Sequence, residues 1–172
     1  MMNSHVRKTV VFSHGKESGP WGLKITRLAQ VAEEVGFAVL SIDYRGVDDP
    51  AVRVRMLLEQ CPKGGGPIVL VGSSMGGAVS LVAAAELRPA GLFLMAPAIG
   101  IAGYPPVPAL EQPPPTVIVH GWDDDVVLPG PVLEYARQQR LELDLVPDGH
   151  NLERSLNLLA DRFRSFLARL GG

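Results

Sequence analysis

The sequence contains a single cysteine, and this scarcity excludes two kinds of architecture. Cys61 has no second cysteine to pair with among the 172 residues, so no internal disulfide can form and no cysteine set can hold a metal. Nor do we expect a bound cofactor or another metal site. The fold must rest on apolar burial, and a chain this long, with 47% hydrophobic residues, fits one domain over residues 1–172.

The sequence also lacks a large excess of charge of one sign, and it has few long hydrophobic segments. The net charge is −2, and no block of like charges predicts a surface for nucleic acid or an anionic membrane. Residues 1–8 lack the apolar segment of a secretory signal, so a cytoplasmic location is expected. The uncharged stretch 89–110 contains five prolines and three glycines, which excludes a membrane-spanning helix. The expected partner is a small molecule, and oligomeric state is left open.

Apolar runs alternate with helical periodicity along the chain, which predicts an α/β fold. Strands are predicted at 8–13, 37–42, 67–72, 91–96, 116–120 and 141–146. Helices are predicted at 20–35, 49–60, 75–88, 129–140 and 151–170. This alternation is typical of a mostly parallel sheet with helices on both faces. The segment 97–115 interrupts it, with seven prolines where a crossover helix would be expected.

The most informative segment is a Gly-x-Ser-x-Gly at positions 72–76. It follows the apolar strand Ile68–Val71 and precedes an Ala-rich helix, and this arrangement is that of a nucleophile elbow. A serine on such a sharp, strained turn presents its Oγ clear of the sheet, provided that the flanking residues lack bulk. Ser74 is the predicted nucleophile, and a strand-to-helix turn without chemistry is the alternative.

Other polar motifs follow strand ends, where ligands bind in open parallel sheets. His14-Gly15-Lys16 follows the first strand, residues 120–127 the fifth, and Asp148-Gly149-His150 the sixth. With these motifs, and in the order serine, acid, histidine, the chain resembles the α/β-hydrolase superfamily over essentially its whole length. The resemblance implies an α/β-hydrolase fold reduced to about six strands, without the two N-terminal strands of the full fold and without a cap domain.

Each member of the expected triad has a chemical reason. A serine needs a base to accept its proton, and His150 is the one histidine placed late in the chain at a strand end. In the pattern of the family that the chain resembles, the acid that orients the imidazole stands four residues after the histidine of the His-Gly pair and two before the paired valines. In this sequence that position is Asp124. Asp123 and Asp125 remain open alternatives, because the three carboxylates are consecutive.

An oxyanion in the transition state requires two preorganised N–H donors. We expect the backbone N–H groups of Lys16 and Met75 to supply them, with the lysine ammonium left in solvent. His14 and His120 each precede a glycine inside a motif and are expected to be structural.

Substrate contacts are predicted at four apolar or aromatic residues. Ile99, Ile101 and Tyr104 lie in the proline-rich segment 97–115, which either forms a pocket wall or merely covers the sheet. Trp122 is the fourth, and it lies in residues 120–127, called the acid loop because they include the candidate acid Asp124.

The sequence thus predicts a serine hydrolase that cleaves a carboxylic ester or related small acyl compound through an acyl-enzyme on Ser74. A small peptidase or amidase and a non-catalytic binding protein with this fold are the alternatives. A dinucleotide-binding loop would need glycine at position 74, and a haloalkane dehalogenase would need a carboxylate there. No Gly-Lys-Ser/Thr closes a glycine loop, so a P-loop is excluded.

Overall fold

A computed structural model describes residues 7–171 and shows six strands that alternate with five helices. The strands are β1 (Thr9–Ser13), β2 (Ala38–Ile42), β3 (Ile68–Ser73), β4 (Gly91–Met95), β5 (Thr116–Gly121) and β6 (Glu142–Val146). The helices are α1 (Leu23–Glu34), α2 (Pro50–Gln60), α3 (Met75–Leu87), α4 (Pro129–Gln139) and α5 (Leu156–Leu170). Each predicted strand is present within one residue of its expected bounds.

The six strands form one sheet in the order β2-β1-β3-β4-β5-β6, and every neighbouring pair is parallel. The four interior strands are almost wholly buried, which explains their continuous apolar sequences. Because all strands run the same way, their carboxyl ends meet at one edge of the sheet. The polar motifs of the sequence lie at that edge.

Helices cover both faces of the sheet, as predicted. On one face α1 and α5 bury an aromatic cluster in which the rings of Phe93 and Phe163 lie 4.9 Å apart in an edge-to-face arrangement. On the other face α2, α3 and α4 pack on the opposite side chains of the same strands, with Leu57, Leu81 and Val132 fully buried. The sheet is therefore a rigid platform for the loops at its carboxyl edge.

Two predicted helices begin later than the sequence suggested. The first begins at Leu23 rather than Pro20, because Gly22 is extended and serves as its N-cap. The last was predicted from residue 151, but it begins at Leu156. Residues 151–155 form a turn in which Leu152 has a φ of +54°, a value that ends any helix.

Residues 97–115 contain neither helix nor strand, so no cap is inserted between β4 and β5. The Tyr135 hydroxyl donates to the Pro108 carbonyl oxygen at 2.9 Å, and the Leu110 N–H donates to the Gln139 side chain at 2.9 Å. Both bonds fasten the segment to α4. Among residues 7–171 no helix has the length and apolar character needed to cross a membrane.

Candidate active site

Ser74 lies between β3 and α3 in a backbone conformation that non-glycine residues rarely adopt, with φ +54° and ψ −118°. Backbone hydrogen bonds hold it there, among them one from the Ala78 N–H to the Ser74 carbonyl oxygen at 3.3 Å. Its N–H donates to the Met95 carbonyl oxygen at 3.0 Å, and its own carbonyl oxygen accepts from Gly77 and Ala98, each at 2.9 Å. The turn is therefore fixed from both sides, as the nucleophile-elbow prediction requires.

The flanking glycines are needed because backbone segments approach one another closely. A Cβ atom on Gly76 would overlap the Ser13 carbonyl at the end of β1, and one on Gly72 would overlap the Gly76 carbonyl. A Cβ atom on Gly15 would lie 3.4 Å from the Cβ of Ser74. The loop after β1 is thus packed directly beside Ser74.

The structure brings Ser74, His150 and Asp124 into one hydrogen-bonded chain. His150 Nε2 lies 3.0 Å from the Ser74 Oγ, and His150 Nδ1 lies 2.8 Å from Asp124 Oδ2. The Asp124 carboxylate is buried, whereas Asp123 and Asp125 are exposed. Of the three consecutive acids, Asp124 is the one whose side chain reaches the imidazole.

The second oxygen of Asp124 is also occupied. Asp124 Oδ1 accepts hydrogen bonds from the backbone N–H groups of Val126 at 3.0 Å and Val127 at 2.8 Å. Buried His120 lies on the same loop, with Nε2 2.9 Å from the Val127 carbonyl oxygen and 3.4 Å from Asp124 Oδ2. A carbonyl oxygen can only accept a hydrogen bond, so His120 Nε2 carries the proton. Burial lowers the pKa of His120, which keeps the ring neutral, and the neutral ring holds the acid loop in place.

The turn that carries His150 is built around the Asp148 carboxylate. It accepts from the Gly149 N–H at 2.8 Å and from the N–H and hydroxyl of Ser155, each at 2.9 Å. Burial raises the pKa of Asp148, but these hydrogen bonds outweigh burial and hold the pKa below its ordinary value. The sequence motif contained Asp148 without assigning it this role, although an acid before glycine in a turn is a usable signal.

The backbone N–H groups of Lys16 and Met75 were the predicted oxyanion donors. Met75 opens α3, so its N–H lacks a helical acceptor and lies at the positive end of the helix dipole. Lys16 belongs to the loop beside Ser74, where His14 is buried and neutral because burial lowers its pKa. The His14 Nδ1–H donates to the Gly15 carbonyl oxygen at 2.7 Å, and Nε2 accepts from the Tyr44 N–H at 2.8 Å.

A cavity of about 590 Å³ opens beside Ser74 and His150. The start of α1 supplies much of its lining, through Leu23, Lys24 and Ile25. The Lys24 ammonium donates to the Asn151 carbonyl oxygen at 2.9 Å, next to His150, and burial lowers its pKa. Sequence reasoning missed this wall, although it follows the His14-Gly15-Lys16 motif in the chain and faces the same sheet edge.

The predicted substrate contacts are only partly in place. Tyr104 lines the cavity, together with Val126 of the acid loop. Ile99 and Ile101 instead pack into the core beside α3 and α4, and Trp122 is exposed outside the cavity lining. The structure therefore places these three side chains away from the cavity lining where they were expected. The aliphatic side chains of 97–115 are drawn onto the apolar sheet face, which leaves the segment mainly a cover.

Within residues 7–171, no group of three histidine, cysteine or acidic side chains is arranged to hold a metal ion.

A family model described as "Alpha/beta hydrolase family" matches residues 10–170, almost the whole chain. The chain belongs to this family. Over the described residues 7–171, its fold is an alpha/beta hydrolase fold reduced to six parallel strands, with helices on both faces and no cap between β4 and β5. A search of curated proteins returned no match.

Solved structures of other alpha/beta hydrolases are similar over most of their length. A protein of the alpha/beta hydrolase superfamily from Xanthomonas campestris is 30% identical, with a TM-score of 0.86 over 95% of this chain and 99% of that one. A serine hydrolase without lid from the same organism is 24% identical, with a TM-score of 0.70 over 94% and 81%. An esterase from Pyrococcus furiosus is 19% identical, with a TM-score of 0.78 over 96% and 82%. The last two show likeness of fold alone.

Proposed function

We propose that this alpha/beta hydrolase is a serine hydrolase that cleaves a carboxylic ester or a related small acyl compound. The observation that carries the proposal is the hydrogen-bonded chain from Ser74 through His150 to Asp124, which opens into a cavity large enough for a small ligand. The esterase and the lidless serine hydrolase among the similar structures are consistent with it.

The first chemical step forms an acyl-enzyme. His150 Nε2 accepts the Ser74 hydroxyl proton while Oγ attacks the substrate carbonyl carbon, and the negative charge moves to the carbonyl oxygen. That oxyanion accepts hydrogen bonds from the backbone N–H groups of Lys16 and Met75. Asp124 accepts the Nδ1–H of His150, which fixes the tautomer and stabilises the imidazolium.

The intermediate then collapses and the enzyme is regenerated. The imidazolium gives its proton to the leaving alcohol oxygen as the carbon–oxygen bond breaks, which leaves the acyl group on Ser74. A water molecule then attacks the acyl carbon as His150 accepts its proton. The bond between the acyl carbon and the Ser74 Oγ breaks, the imidazolium returns the proton to Oγ, and the acid is released. Leu23, Ile25, Tyr104 and Val126 give the cavity an apolar portion, which suits a short acyl or alcohol group.

Hydrolysis of p-nitrophenyl esters from acetate to octanoate tests the proposal. We expect turnover by the native protein and a loss of at least about 10³-fold in kcat for Ser74→Ala. Ser165→Ala, an exposed serine on α5, serves as the matched control and should keep native activity. Hydrolysis of anilides without hydrolysis of esters would favour the amidase alternative. A folded native protein inactive on both would favour a binding protein.

A further inference from the structure

Arg53 of α2 is a buried cation with an unusual set of partners. It is 1% exposed, and within residues 7–171 no carboxylate lies within 4.0 Å of it. Buried arginines are normally paired with an acid, because removing the charge from water is costly. Here the guanidinium is satisfied by backbone carbonyl oxygens and by the ring of Tyr44, whose centroid is 5.1 Å away.

Two of those carbonyls belong to the loop beside Ser74. Arg53 Nη1 donates to the His14 carbonyl oxygen at 3.0 Å and to the Gly15 carbonyl oxygen at 3.2 Å, while Nε donates to Val47 at 2.6 Å. The Gly15 carbonyl therefore accepts from the guanidinium as well as from the His14 ring. Two donors from different elements fix the direction of one carbonyl group.

The Gly15 carbonyl and the Lys16 N–H belong to the same planar peptide and point in opposite directions. A contact that fixes the carbonyl therefore fixes the N–H. A glycine at position 15 would otherwise leave this peptide conformationally free. A cation on the carbonyl side also withdraws electron density from the amide, which makes its N–H a better donor.

We propose that Arg53 is a positioning residue, which holds the Gly15–Lys16 peptide so that the Lys16 N–H is preorganised for the oxyanion. The proposal rests on the proposed function and adds to it a residue that touches neither the substrate nor the triad. Its effect belongs to the transition state, because the ground-state ester carries no full charge on that oxygen.

Kinetics of Arg53→Met and Arg53→Lys test this role, with Arg55→Met as the control on the exposed side of the same helix. We expect Arg53→Met to lower kcat by about 10- to 100-fold with KM unchanged within about twofold, since an oxyanion donor contributes about 10²- to 10³-fold. Arg53→Lys should recover part of the loss, because an ammonium can still donate to a carbonyl. A trifluoromethyl ketone analogue should lose affinity by the same factor as kcat. Arg55→Met should behave as native.

The outcomes separate this inference from the proposed function. If Arg53→Met folds and keeps a native-like kcat, the positioning role is wrong. It is also wrong if the loss of activity only reflects a smaller fraction of active molecules, as measured by active-site titration. Neither result would contradict the proposed hydrolase function. An inactive native protein would overturn both. If neither Arg53 variant folds, the ¹⁵N order parameter of the Lys16 amide in the native protein decides. A value near 0.85, as in rigid backbone, supports the proposal, and one below about 0.6 contradicts it.

Discussion

At the scale of single residues, the position of Asp124 is set by more than its contact with His150. Four groups converge on its carboxylate: His150, His120 and the N–H groups of Val126 and Val127. A carboxylate held on both oxygens cannot rotate away from the imidazole. This explains how one of three consecutive acids is selected, a choice that depends on the backbone of the acid loop.

We predict that Asp124→Asn keeps the fold but lowers kcat by about 10⁴-fold, because an amide favours the wrong tautomer of His150. Asp123→Asn and Asp125→Asn are the matched controls, and each should keep activity within a few-fold because both side chains are exposed. Steady-state kinetics on one ester measures all three. A large loss of kcat in Asp123→Asn with little loss in Asp124→Asn would show that Asp123, not Asp124, orients the imidazole.

At the scale of elements, the segment 97–115 combines a covering role with one cavity contact. Ile101 and Tyr104 both pack against the same apolar core, but only Tyr104 also lines the cavity. We predict that Tyr104→Ala raises KM for octanoyl relative to acetyl esters by about tenfold, equal to about 1.4 kcal/mol. The experiment is a chain-length series of KM values.

Ile101→Ala is the contrasting variant of the same segment. It should leave the chain-length preference unchanged and lower the free energy of unfolding by about 2 kcal/mol, since it removes packed methyl groups. Urea unfolding measures this loss. The reverse pattern, with KM changed in Ile101→Ala and unchanged in Tyr104→Ala, would contradict the assignment.

Sequence patterns predicted the elements well and the cavity poorly, and the reason is physical. The nucleophile elbow can be predicted from the sequence because the backbone segments approach so closely that only glycine fits at positions 72 and 76. The geometry of the turn therefore determines the residue type. The wall formed by α1 has no such requirement, because the side chains that face the cavity depend on where the helix begins. Because the sequence placed the start of α1 at Pro20 rather than Leu23, it did not indicate that the first residues of α1 line the cavity.

Long-range contacts were also beyond the sequence. The contact between Arg53 and the loop after β1 joins residues 38 positions apart, and α2 resembles any amphipathic helix with an arginine. Ile99 and Ile101 were expected at the cavity because apolar residues beside a motif suggest a wall. The sheet face offered them a larger apolar surface, and only packing in three dimensions reveals that competition.

At the scale of the whole molecule, two buried neutral histidines tie stability to pH. Burial lowers the pKa of His14 and of His120 below the ordinary 6.5 in the folded protein. The unfolded chain binds protons at these sites as the pH falls below 6.5, and the folded chain does not until lower pH. Their contribution to stability is therefore complete above that pH and is lost as the pH falls toward the folded values.

We predict that the free energy of unfolding decreases between pH 7.5 and 5.5. His120→Gln should be less stable at pH 7.5 but should show a shallower decrease, because one of the two linked groups is removed while a side-chain N–H remains for Val127. Urea denaturation at three pH values measures the slope. An equal slope in the native protein and His120→Gln would show that His120 is not linked to unfolding.

In the proposed function, the fold, the cavity and the hydrogen bonds from Ser74 through His150 to Asp124 together make Ser74 a nucleophile. A fluorophosphonate probe tests it most directly, because the probe forms a covalent bond only with an activated serine, and fragment-ion mass spectrometry locates the label. We predict one label per native molecule, on Ser74, no label on Ser74→Ala and normal labelling of Ser165→Ala. Equal labelling of the native protein and Ser74→Ala, or a label on another residue, would contradict the account.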